Sequence, residues 1–573
     1  MTSISAIVGP PGTGKTSEIV RIVRRMVQES TRGPYDHGYR LPAVVCSLTR
    51  AAASEAAGRD SGLPRTAVAT IHAFAYRALQ CPELTAGREA EFNSTPGLPS
   101  CHHVSITETA RRKPRIGPEG MDERGEDTQV IAEAHEAATA DREAGDSLRE
   151  RYGVLRAQTT PREDWPPDVS EWATAWGGWK TDAQLLDFPD LIEIAARERT
   201  RCPGDPEAVL VDEAQDASRA QLDLLRVWAT QAGGLTIVGD PWQSLYGWTG
   251  AHRKMFLSDK ITNLRVLSQS WRVPRAVHSA AVGFLGGNIH DYTPFDYEPR
   301  DADGEVIRSG VTWQTPEDVV TIAEAEARAG RTVMVLATCD YMLRGIVSAA
   351  RRRGMPFANR WRMKRGDWNP LAPRRGNTIA RALNALLDFD ETWTVESFRR
   401  WTQRMPVSAG LRRKARSAIA AAAHHAPGTP MTSDDLEAWI LYDEDAPIYR
   451  IVREMMSNDP RAAARAWAAS VHRDSQALAS YTADVWEGWG SRILDGTDDP
   501  PVTIGTIHSI KGGEADVVIL LPDLSPAATA AWHGGGEPHN EVAMAGYVGM
   551  TRARETLIVG TPCKWFRSMD LGV

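Results

Sequence analysis

Residues 9–16 of this chain read Gly9-Pro10-Pro11-Gly12-Thr13-Gly14-Lys15-Thr16, and this stretch decides the fold. An apolar run over residues 3–8 precedes it and predicts a buried strand, and the pattern of residues 16–28 predicts a helix. A strand, a glycine-rich loop ending in Lys-Thr and a helix form a phosphate-binding loop, because the glycines let backbone N–H groups converge on phosphate oxygens at the positive end of the helix. The sequence therefore predicts an α/β protein with a nucleotide site after its first strand.

Two side chains of this loop are predicted to act on the nucleotide. Lys15 is placed for the β- and γ-phosphates, and the Thr16 hydroxyl is placed for Mg²⁺. The predicted cofactor-binding set also contains the other loop residues and the residue after them, which are Gly9, Pro10, Pro11, Gly12, Thr13, Gly14 and Ser17.

An acidic pair follows a second apolar run. Residues 208–211 predict a buried strand that ends at Asp212 and Glu213. The end of a strand is where an open parallel sheet presents ligand-binding groups. We expect Asp212 to hold Mg²⁺ through water, and we expect Glu213 to orient and deprotonate the attacking water.

Composition limits the classes of protein that fit. The chain has 573 residues, 42% of them hydrophobic and 24% charged, as in a globular protein of several domains. Its net charge of −8 argues against a protein that coats DNA by bulk electrostatics, but it allows one that holds a single strand in a narrow groove.

Location is predicted from what the sequence lacks. No apolar run approaches the roughly 18 residues of a transmembrane helix, so no membrane association is expected. The six cysteines contain no C-x-x-C pair, and the N-terminus runs into the phosphate loop without a secretory signal. Both features favour the reducing cytoplasm of a bacterial or phage-infected cell.

Eight stretches in order along the chain resemble the motifs of superfamily 1A DNA helicases of the UvrD/Rep type. Beyond the phosphate loop and the acidic pair, they are residues 43–52 (A-V-V-C-S-L-T-R-A-A, motif Ia), 70–74 (T-I-H-A-F, Ib), 239–251 (G-D-P-W-Q-S-L-Y-G-W-T-G-A, III), 269–272 (Q-S-W-R, IV), 506–514 (T-I-H-S-I-K-G-G-E, V) and 547–554 (Y-V-G-M-T-R-A-R, VI). Residues 186–191 (L-D-F-P-D-L) also match a stretch that these proteins carry before the acidic strand.

The resemblance implies roles at the nucleotide. Gln243 would sense the γ-phosphate, and Arg272 and Arg552 would reach it as arginine fingers. Guanidinium groups suit that role, because they bind phosphate in a bidentate way and stabilise charge in the transition state. Trp271 would stack on the adenine, where the family has a tyrosine, and Glu514 would accept a hydrogen bond from the ribose.

The resemblance also implies a path for one DNA strand. Trp248 would stack on a base. The full set of residues implied to line this path is Thr49, Arg50, Thr70, His72, Tyr246, Trp248 and His508.

Three positions depart from the family pattern. Ile71 replaces an aromatic residue of motif Ib, and Thr249 replaces an arginine of motif III. None of the eight residues before Gly9 is the glutamine that reads adenine in the family. Because a site that hydrogen-bonds its substrate discriminates far better than an apolar one, we expect relaxed selectivity for the nucleotide base.

The motif order implies two RecA-like parallel-sheet domains, each with a largely helical insertion. We expect the first domain over residues 1–80 and 190–280 with an insertion at 81–189, and the second over 281–380 and 500–573 with an insertion at 381–499. Residues 332–336 and 516–521 predict buried strands of the second domain. The first insertion carries Trp165, Trp172, Trp176 and Trp179, which we expect in its core.

The function implied is that of an ATP-dependent DNA helicase. It would move 3′→5′ on single-stranded DNA and couple ATP hydrolysis between two RecA-like domains to strand separation. ATP and Mg²⁺ would be the cofactors, and single-stranded DNA and single-strand/duplex junctions would be the partners, beside an unknown loading protein. A translocase that displaces bound proteins without unwinding is the alternative, because its motor residues would be the same.

Overall fold

The computed structural model describes residues 3–30, 40–48, 61–86, 88, 91–92, 148–247, 250–251, 253, 261–363, 365–371 and 378–572. These residues form an α/β protein in which the strands named below pair in parallel. The predicted α/β class with parallel sheets is confirmed.

The strands in chain order are β1 (Ser3–Val8), β2 (Val44–Ser47), β3 (Val68–Thr70), β4 (Val209–Val211), β5 (Gly234–Gly239), β6 (Asn263–Val266), β7 (Gln269–Pro274), β8 (Glu298–Arg300), β9 (Glu305–Arg308), β10 (Val333–Ala337), β11 (Val502–Thr506), β12 (Ala515–Leu520) and β13 (Ala553–Val559).

The helices in chain order are α1 (Lys15–Glu29), α2 (Ile71–Ala78), α3 (Leu148–Ala157), α4 (Pro167–Asp182), α5 (Phe188–Arg197), α6 (Arg219–Ala232), α7 (Arg275–Asn288), α8 (Pro316–Arg328), α9 (Asp340–Arg352), α10 (Thr378–Leu387), α11 (Val395–Thr402), α12 (Ala415–His425), α13 (Ser433–Trp439), α14 (Pro447–Met456), α15 (Pro460–Ser470), α16 (Gln476–Trp489), α17 (Ser491–Leu494), α18 (Pro526–Gly534) and α19 (Gly536–Met550).

The first sheet has the strand order β3-β2-β4-β5-β1-β6. Val8 at the end of β1 pairs with Gly239 at the end of β5, and Val211 at the end of β4 pairs with Ile237. Neighbouring parallel strands therefore finish at one edge, which is where open α/β sheets bind ligands. This register brings together the phosphate loop, the acidic pair and Asp240.

Helices cover both faces of this sheet because their apolar residues recur at helical spacing. Helix α1 buries Ile19, Val20 and Val23. Helix α6 buries a stripe that includes Leu222, Leu225 and Trp228; it begins at a capping box and ends where Gly233 adopts the left-handed region with φ 96°.

The second sheet has the strand order β11-β10-β12-β13-β9. Its central strand β10 is buried at every residue, and Val335 pairs with Ile504 of β11 and Ile519 of β12. A strand buried on both faces reads as a continuous apolar run, and the strands predicted at residues 332–336 and 516–521 are confirmed.

Helices dominate between β10 and β11. Helices α10 to α17 occupy much of residues 378–494 and share an apolar core in which Trp393, Trp401 and Trp467 are fully buried. The helical pattern predicted for residues 381–499 is therefore confirmed.

The tryptophans of the first insertion lie in a core of their own. Trp165, Trp172 and Trp176 are buried with Phe92, and Trp179 packs at the edge of the cluster. The predicted core role of these residues is confirmed. The sequence pattern also predicts a helix near residues 128–151, and only the end of it that overlaps α3 falls within the described residues.

The chain divides into two compact units. The first holds Met1–Asp303 and Leu524–Thr551, and the second holds Gly304–Asp523 and Arg552–Leu571. The divisions differ from the predicted domain boundaries. The predicted boundary at residue 280 falls inside α7, and residues 524–551 join the first unit because α19 packs against α7 and against the short turn Pro241–Gln243. None of the helices in the described residues has both the length and the hydropathy needed to span a membrane.

Candidate nucleotide site and nucleic-acid contacts

The phosphate loop is fixed by hydrogen bonds to backbone carbonyl groups. The N–H of Gly9 donates to the carbonyl of Gly239 at 2.8 Å, and the Lys15 ammonium donates to the carbonyl of Gly9 at 2.9 Å. The Thr13 hydroxyl donates to the carbonyl of Pro10 at 2.8 Å. These bonds fix a loop between β1 and α1 whose N–H groups and helix N-terminus suit phosphate.

Strand β7 lies directly against this loop. The Ser270 hydroxyl donates to the carbonyl of Pro11 at 2.7 Å, and the Trp271 N–H donates to the carbonyl of Gly12 at 2.9 Å. Gly12 has φ 75°, and a Cβ at this position would lie 2.4 Å from the Cβ of Arg272, so only glycine fits. The structure thus brings both predicted motif IV residues to the loop, and it leaves 73% of Trp271 exposed.

The metal-binding pair predicted from the sequence is assembled. The Thr16 hydroxyl donates to Oδ2 of Asp212 at 3.1 Å, and the N–H of Glu213 donates to Oδ1 of the same carboxylate at 2.9 Å. Asp212 is only 3% exposed. Burial and the neighbouring Glu213 carboxylate raise the pKa of Asp212 to about 6, against the opposing effect of Lys15.

The predicted catalytic base has an unusual backbone. Glu213 adopts the left-handed region with φ 55° and ψ 38°, a conformation that costs free energy for a residue with a Cβ. One of its carboxylate oxygens accepts a hydrogen bond from the Gln215 amide. Non-glycine residues in this region concentrate at functional sites, and the observed geometry fits a base aimed from the edge of the sheet.

The predicted γ-phosphate sensor, Gln243, lies in the short turn that follows β5. Gln243 is buried, and its amide donates to Oδ2 of Asp240 at 2.7 Å. Burial raises the pKa of Asp240, while Lys15 and the Gln243 hydrogen bond lower it. The same turn contains Trp242, whose indole N–H donates to the carbonyl of Thr293 at 3.2 Å.

Three of the predicted DNA-path residues have described positions in the first unit. Thr70 caps helix α2, because its hydroxyl accepts a hydrogen bond from the N–H of Ala73 at 3.2 Å. His72 lies in the first turn of this helix, with its ring edge-to-face with that of Phe188 at 5.7 Å between centroids, and burial lowers its pKa to about 4. Tyr246 is partly buried. Thr49, Arg50 and Trp248 lie outside the described residues.

The motif V residues and the two arginines of motif VI, Arg552 and Arg554, lie in the second unit, whereas residues 547–551 of motif VI lie in the first. Arg552 donates from Nη1 to the carbonyl of Gly513 at 3.1 Å, and Arg554 lies 3.6 Å from the carboxylate of Glu514. Burial, followed by Lys511 and Arg362, lowers the pKa of His508 to about 4. At neutral pH this histidine is therefore a neutral hydrogen-bonding group and not a cation.

Sequence reasoning missed an exposed aromatic pair. Trp565 is 82% exposed and Phe566 is 45% exposed, with ring centroids 6.1 Å apart. Lys564 and Arg567 flank them in the sequence, and the Arg567 guanidinium lies 5.8 Å from the Phe566 ring centroid. The run K-W-F-R was the available signal, since interleaved cations and aromatics are typical of surfaces that bind single strands.

The site fits a nucleoside triphosphate with Mg²⁺. Lys15 and the loop backbone supply cationic and N–H donors, and Thr16 and Asp212 supply the hard oxygen ligands that Mg²⁺ prefers. Within the described residues no group of three or more His, Cys, Asp and Glu side chains is placed to hold a metal ion. Phosphate oxygens and water would therefore complete the coordination, as is usual for Mg²⁺ at phosphates.

Comparison with known proteins agrees with this geometry. Residues 1–262 match the family model of the UvrD/REP helicase N-terminal domain. The chain is similar to ATP-dependent DNA helicase Rep of Buchnera aphidicola subsp. Acyrthosiphon pisum, with 32% identity over 119 residues that make up 19% of this chain and 18% of Rep. The resemblance that the motifs indicated is confirmed.

Two further relatives match over segments of similar length. ATP-dependent DNA helicase srs2 of Schizosaccharomyces pombe is 34% identical over 103 residues, which are 18% of this chain and 10% of srs2. ATP-dependent DNA helicase PcrA of Staphylococcus aureus is 32% identical over 130 residues, which are 20% of this chain and 18% of PcrA. The chain therefore matches less than a fifth of the length of each of these relatives.

Proposed function

We propose, on the premise that residues 1–262 carry a UvrD/REP helicase N-terminal domain, that this protein is an ATP-dependent DNA helicase that moves 3′→5′ on single-stranded DNA. The observation that carries the proposal is the joined set of Lys15, Thr16, Asp212 and Glu213 at one sheet edge. The Thr16–Asp212 hydrogen bond of 3.1 Å links the phosphate loop to the acidic strand.

This arrangement supports hydrolysis of the γ-phosphate. Glu213 takes a proton from the attacking water, whose oxygen bonds to the γ-phosphorus as the bond to the β,γ-bridging oxygen breaks. The products are ADP and inorganic phosphate. Lys15 binds the β- and γ-phosphates throughout. Mg²⁺, held by Thr16 and Asp212, would supply positive charge to the phosphate oxygens.

Further side chains complete the proposed nucleotide site. Trp271 stacks on the base from its exposed position beside Gly12. Arg272, on the same strand, binds the γ-phosphate through its guanidinium group. Gln243 contacts the γ-phosphate, so the position of the loop that follows Gln243 depends on whether that phosphate is present. The proposed roles of Arg552 as an arginine finger and of Glu514 at the ribose rest on the motif resemblance.

The two parallel sheets are proposed to be the RecA-like domains of this family. The first sheet carries the phosphate loop, and the second carries motifs V and VI at the ends of β11 and near β13. The helices between β10 and β11, and those around the tryptophan cluster, are then the two insertions.

The proposed DNA contacts use stacking and neutral hydrogen bonds. Because their pKa values are about 4, His72 and His508 are neutral at pH 7 and suit contacts with sugar or base. Trp565 and Phe566 would stack on bases, with Lys564 and Arg567 near the backbone. This accounts for strand binding by a chain whose net charge is −8.

Strand displacement tests the proposed activity. We expect ATP-dependent unwinding of a short duplex with a 3′ single-stranded tail and no unwinding of the same duplex with a 5′ tail. A parallel assay follows removal of streptavidin from a biotinylated single strand. Streptavidin removal without unwinding would show that the protein is a protein-displacing translocase and not a helicase. Absence of both activities would contradict the proposal that the protein is a motor on DNA.

A further inference from the structure

We infer that Gln215 is a positioning residue that holds the catalytic base Glu213 in a fixed position relative to the motif III loop. This inference rests on the proposed hydrolysis at the same site. It assigns a task to a buried side chain that makes no contact with substrate in the scheme above, and it names the physical link between the base and the sensor Gln243.

The Gln215 side chain bridges two loops through its two ends. Its Nε2 donates to Oε2 of Glu213, and its Oε1 accepts a hydrogen bond from the N–H of Asp240 at 3.1 Å. Gln215 is only 1% exposed, and in such a buried setting its hydrogen bonds are stronger than they would be in water. One amide thus joins Glu213, which follows β4, to Asp240, which follows β5.

The chemistry of glutamine is required at this position. A carboxylate accepts hydrogen bonds only, and a backbone N–H donates only, so the bridging group must donate on one side and accept on the other. This requirement also fixes which end of the amide faces Glu213. A hydroxyl is too short to span both loops in place of the side chain, and a carboxylate in the same place would oppose Glu213.

Two further hydrogen bonds hold the loops together. The Ser244 hydroxyl donates to the carbonyl of Gln215 at 3.2 Å, and the N–H of Leu245 donates to Oδ1 of Asp216 at 3.3 Å. Asp240 in turn accepts the amide of Gln243 at 2.7 Å. The loop that carries the sensor is therefore fastened to the loop that carries the base, and Gln215 is the member that reaches the base itself.

The backbone of Glu213 explains why such a bond matters. A residue in the left-handed region, at φ 55°, persists only where its surroundings impose it. The amide of Gln215 constrains the Glu213 carboxylate through the hydrogen bond that it donates. Loss of that constraint should misplace the base while leaving Lys15 and the phosphate loop intact.

Two variants separate positioning from simple packing. Gln215→Met keeps the volume and removes both hydrogen bonds. Gln215→Glu keeps an oxygen for the N–H of Asp240, removes the donor to Glu213 and places a second carboxylate beside it. Gln231→Met is the matched control, because the Gln231 amide donates to the backbone carbonyls of Arg199 and Thr200, away from the site.

The readouts are kcat and KM for ATP at pH 8 with saturating single-stranded DNA, together with hydrogen exchange of the full-length protein over residues 240–245. We expect both Gln215 variants to lower kcat about tenfold to a hundredfold, since correct placement of a general base accounts for factors of that size. KM should stay within about threefold of the wild type. Exchange should accelerate in Gln215→Met and stay near the wild-type rate in Gln215→Glu.

The outcomes decide the inference. If Gln215→Glu keeps the kcat of the wild type, the donor to Glu213 does not position the base and the inference is wrong. If KM rises with kcat unchanged in both variants, Gln215 supports nucleotide binding instead, which also overturns it. Should Gln215→Met unfold at the assay temperature, Gln215→Glu alone decides. A wild-type protein without ATP hydrolysis would contradict the proposed function, and exchange at residue 240 would still show whether the bridge exists.

Discussion

The Thr16 hydroxyl donates a hydrogen bond of 3.1 Å to the carboxylate of Asp212, a residue 196 positions further along the chain. The contact joins the first turn of α1 to the end of β4, two strands away from β1 in the sheet. Both groups are hard oxygen ligands, so the contact marks the position at which Mg²⁺ would meet the triphosphate.

Removal of either partner should raise the Mg²⁺ requirement of hydrolysis. We expect Thr16→Val and Asp212→Asn to lower kcat/KM for ATP at least about a hundredfold at low Mg²⁺, because the metal loses a ligand that also fixes its place. A Mg²⁺ titration of the ATPase rate measures this. Thr174→Val is the control, since its hydroxyl donates only to the Ser170 carbonyl on an exposed helix face. A Thr16→Val enzyme with wild-type Mg²⁺ dependence would contradict the assignment.

Loss of the exposed indole of Trp271 should weaken nucleotide binding without slowing chemistry. Stacking on the base is equally strong in the ground and transition states, so Trp271→Ala should raise KM for ATP about tenfold with kcat little changed. Trp271→Tyr should restore KM to near the wild-type value. Steady-state kinetics with saturating single-stranded DNA test this, and an unchanged KM in Trp271→Ala would remove the residue from the site.

Truncation of the exposed aromatic pair should weaken strand binding. Trp565→Ala and Phe566→Ala should each reduce affinity for an oligo(dT) strand by about 1–3 kcal/mol, the value of one base–aromatic stack. Fluorescence anisotropy gives the dissociation constants. Tyr442→Ala is the matched variant, because this tyrosine is 54% exposed in the helical region of the same unit. An equal loss of affinity for oligo(dT) in all three variants would mean that Trp565 and Phe566 do not form a specific contact with the strand.

Acid should destabilise the second unit through His508. Its folded pKa of about 4 lies below the unfolded value of about 6.5, so the unfolded state binds more protons between these pH values. This group therefore contributes stability that is present above pH 6.5 and lost as the pH falls toward 4, up to about 3 kcal/mol.

The variant His508→Gln should flatten this dependence. We expect its Tm to fall less than that of the wild type between pH 7.5 and pH 5, as followed by differential scanning calorimetry. His472→Gln, which changes an exposed histidine, should behave as the wild type does. A drop in His508→Gln as large as in the wild type would show that other groups govern acid unfolding.

Local pattern was sufficient for the parts of the site that follow buried strands. The apolar runs at residues 3–8 and 208–211 predicted β1 and β4, and strand ends in a parallel sheet meet at one edge. Lys15, Thr16, Asp212 and Glu213 could therefore be placed together from the sequence alone. The core role of the insertion tryptophans was also predicted, because large aromatic side chains most often pack in a core.

Contacts between loops that are distant in the sequence could not be predicted from local sequence pattern. The docking of β7 on Gly12 depends on where β6 returns the chain, and the packing of α19 in the first unit depends on tertiary contacts of a segment that lies between two strands of the second sheet. Gln215 gave no signal either, because its partners Glu213 and Asp240 follow different strands. Trp565 was missed because a short aromatic run carries no periodicity that distinguishes a core from a surface.

The most direct test of the central claim is the steady-state rate of ATP hydrolysis, measured alone and with single-stranded DNA, double-stranded DNA and RNA, for the wild type, Lys15→Ala and Glu213→Gln. Lys414→Ala, at an exposed lysine of the second unit, serves as the control. We predict that single-stranded DNA stimulates the wild type strongly, that both site variants lose turnover, and that Glu213→Gln still binds ATP because its phosphate loop is intact. Wild-type turnover in either site variant, or a rate indifferent to single-stranded DNA, would contradict the account.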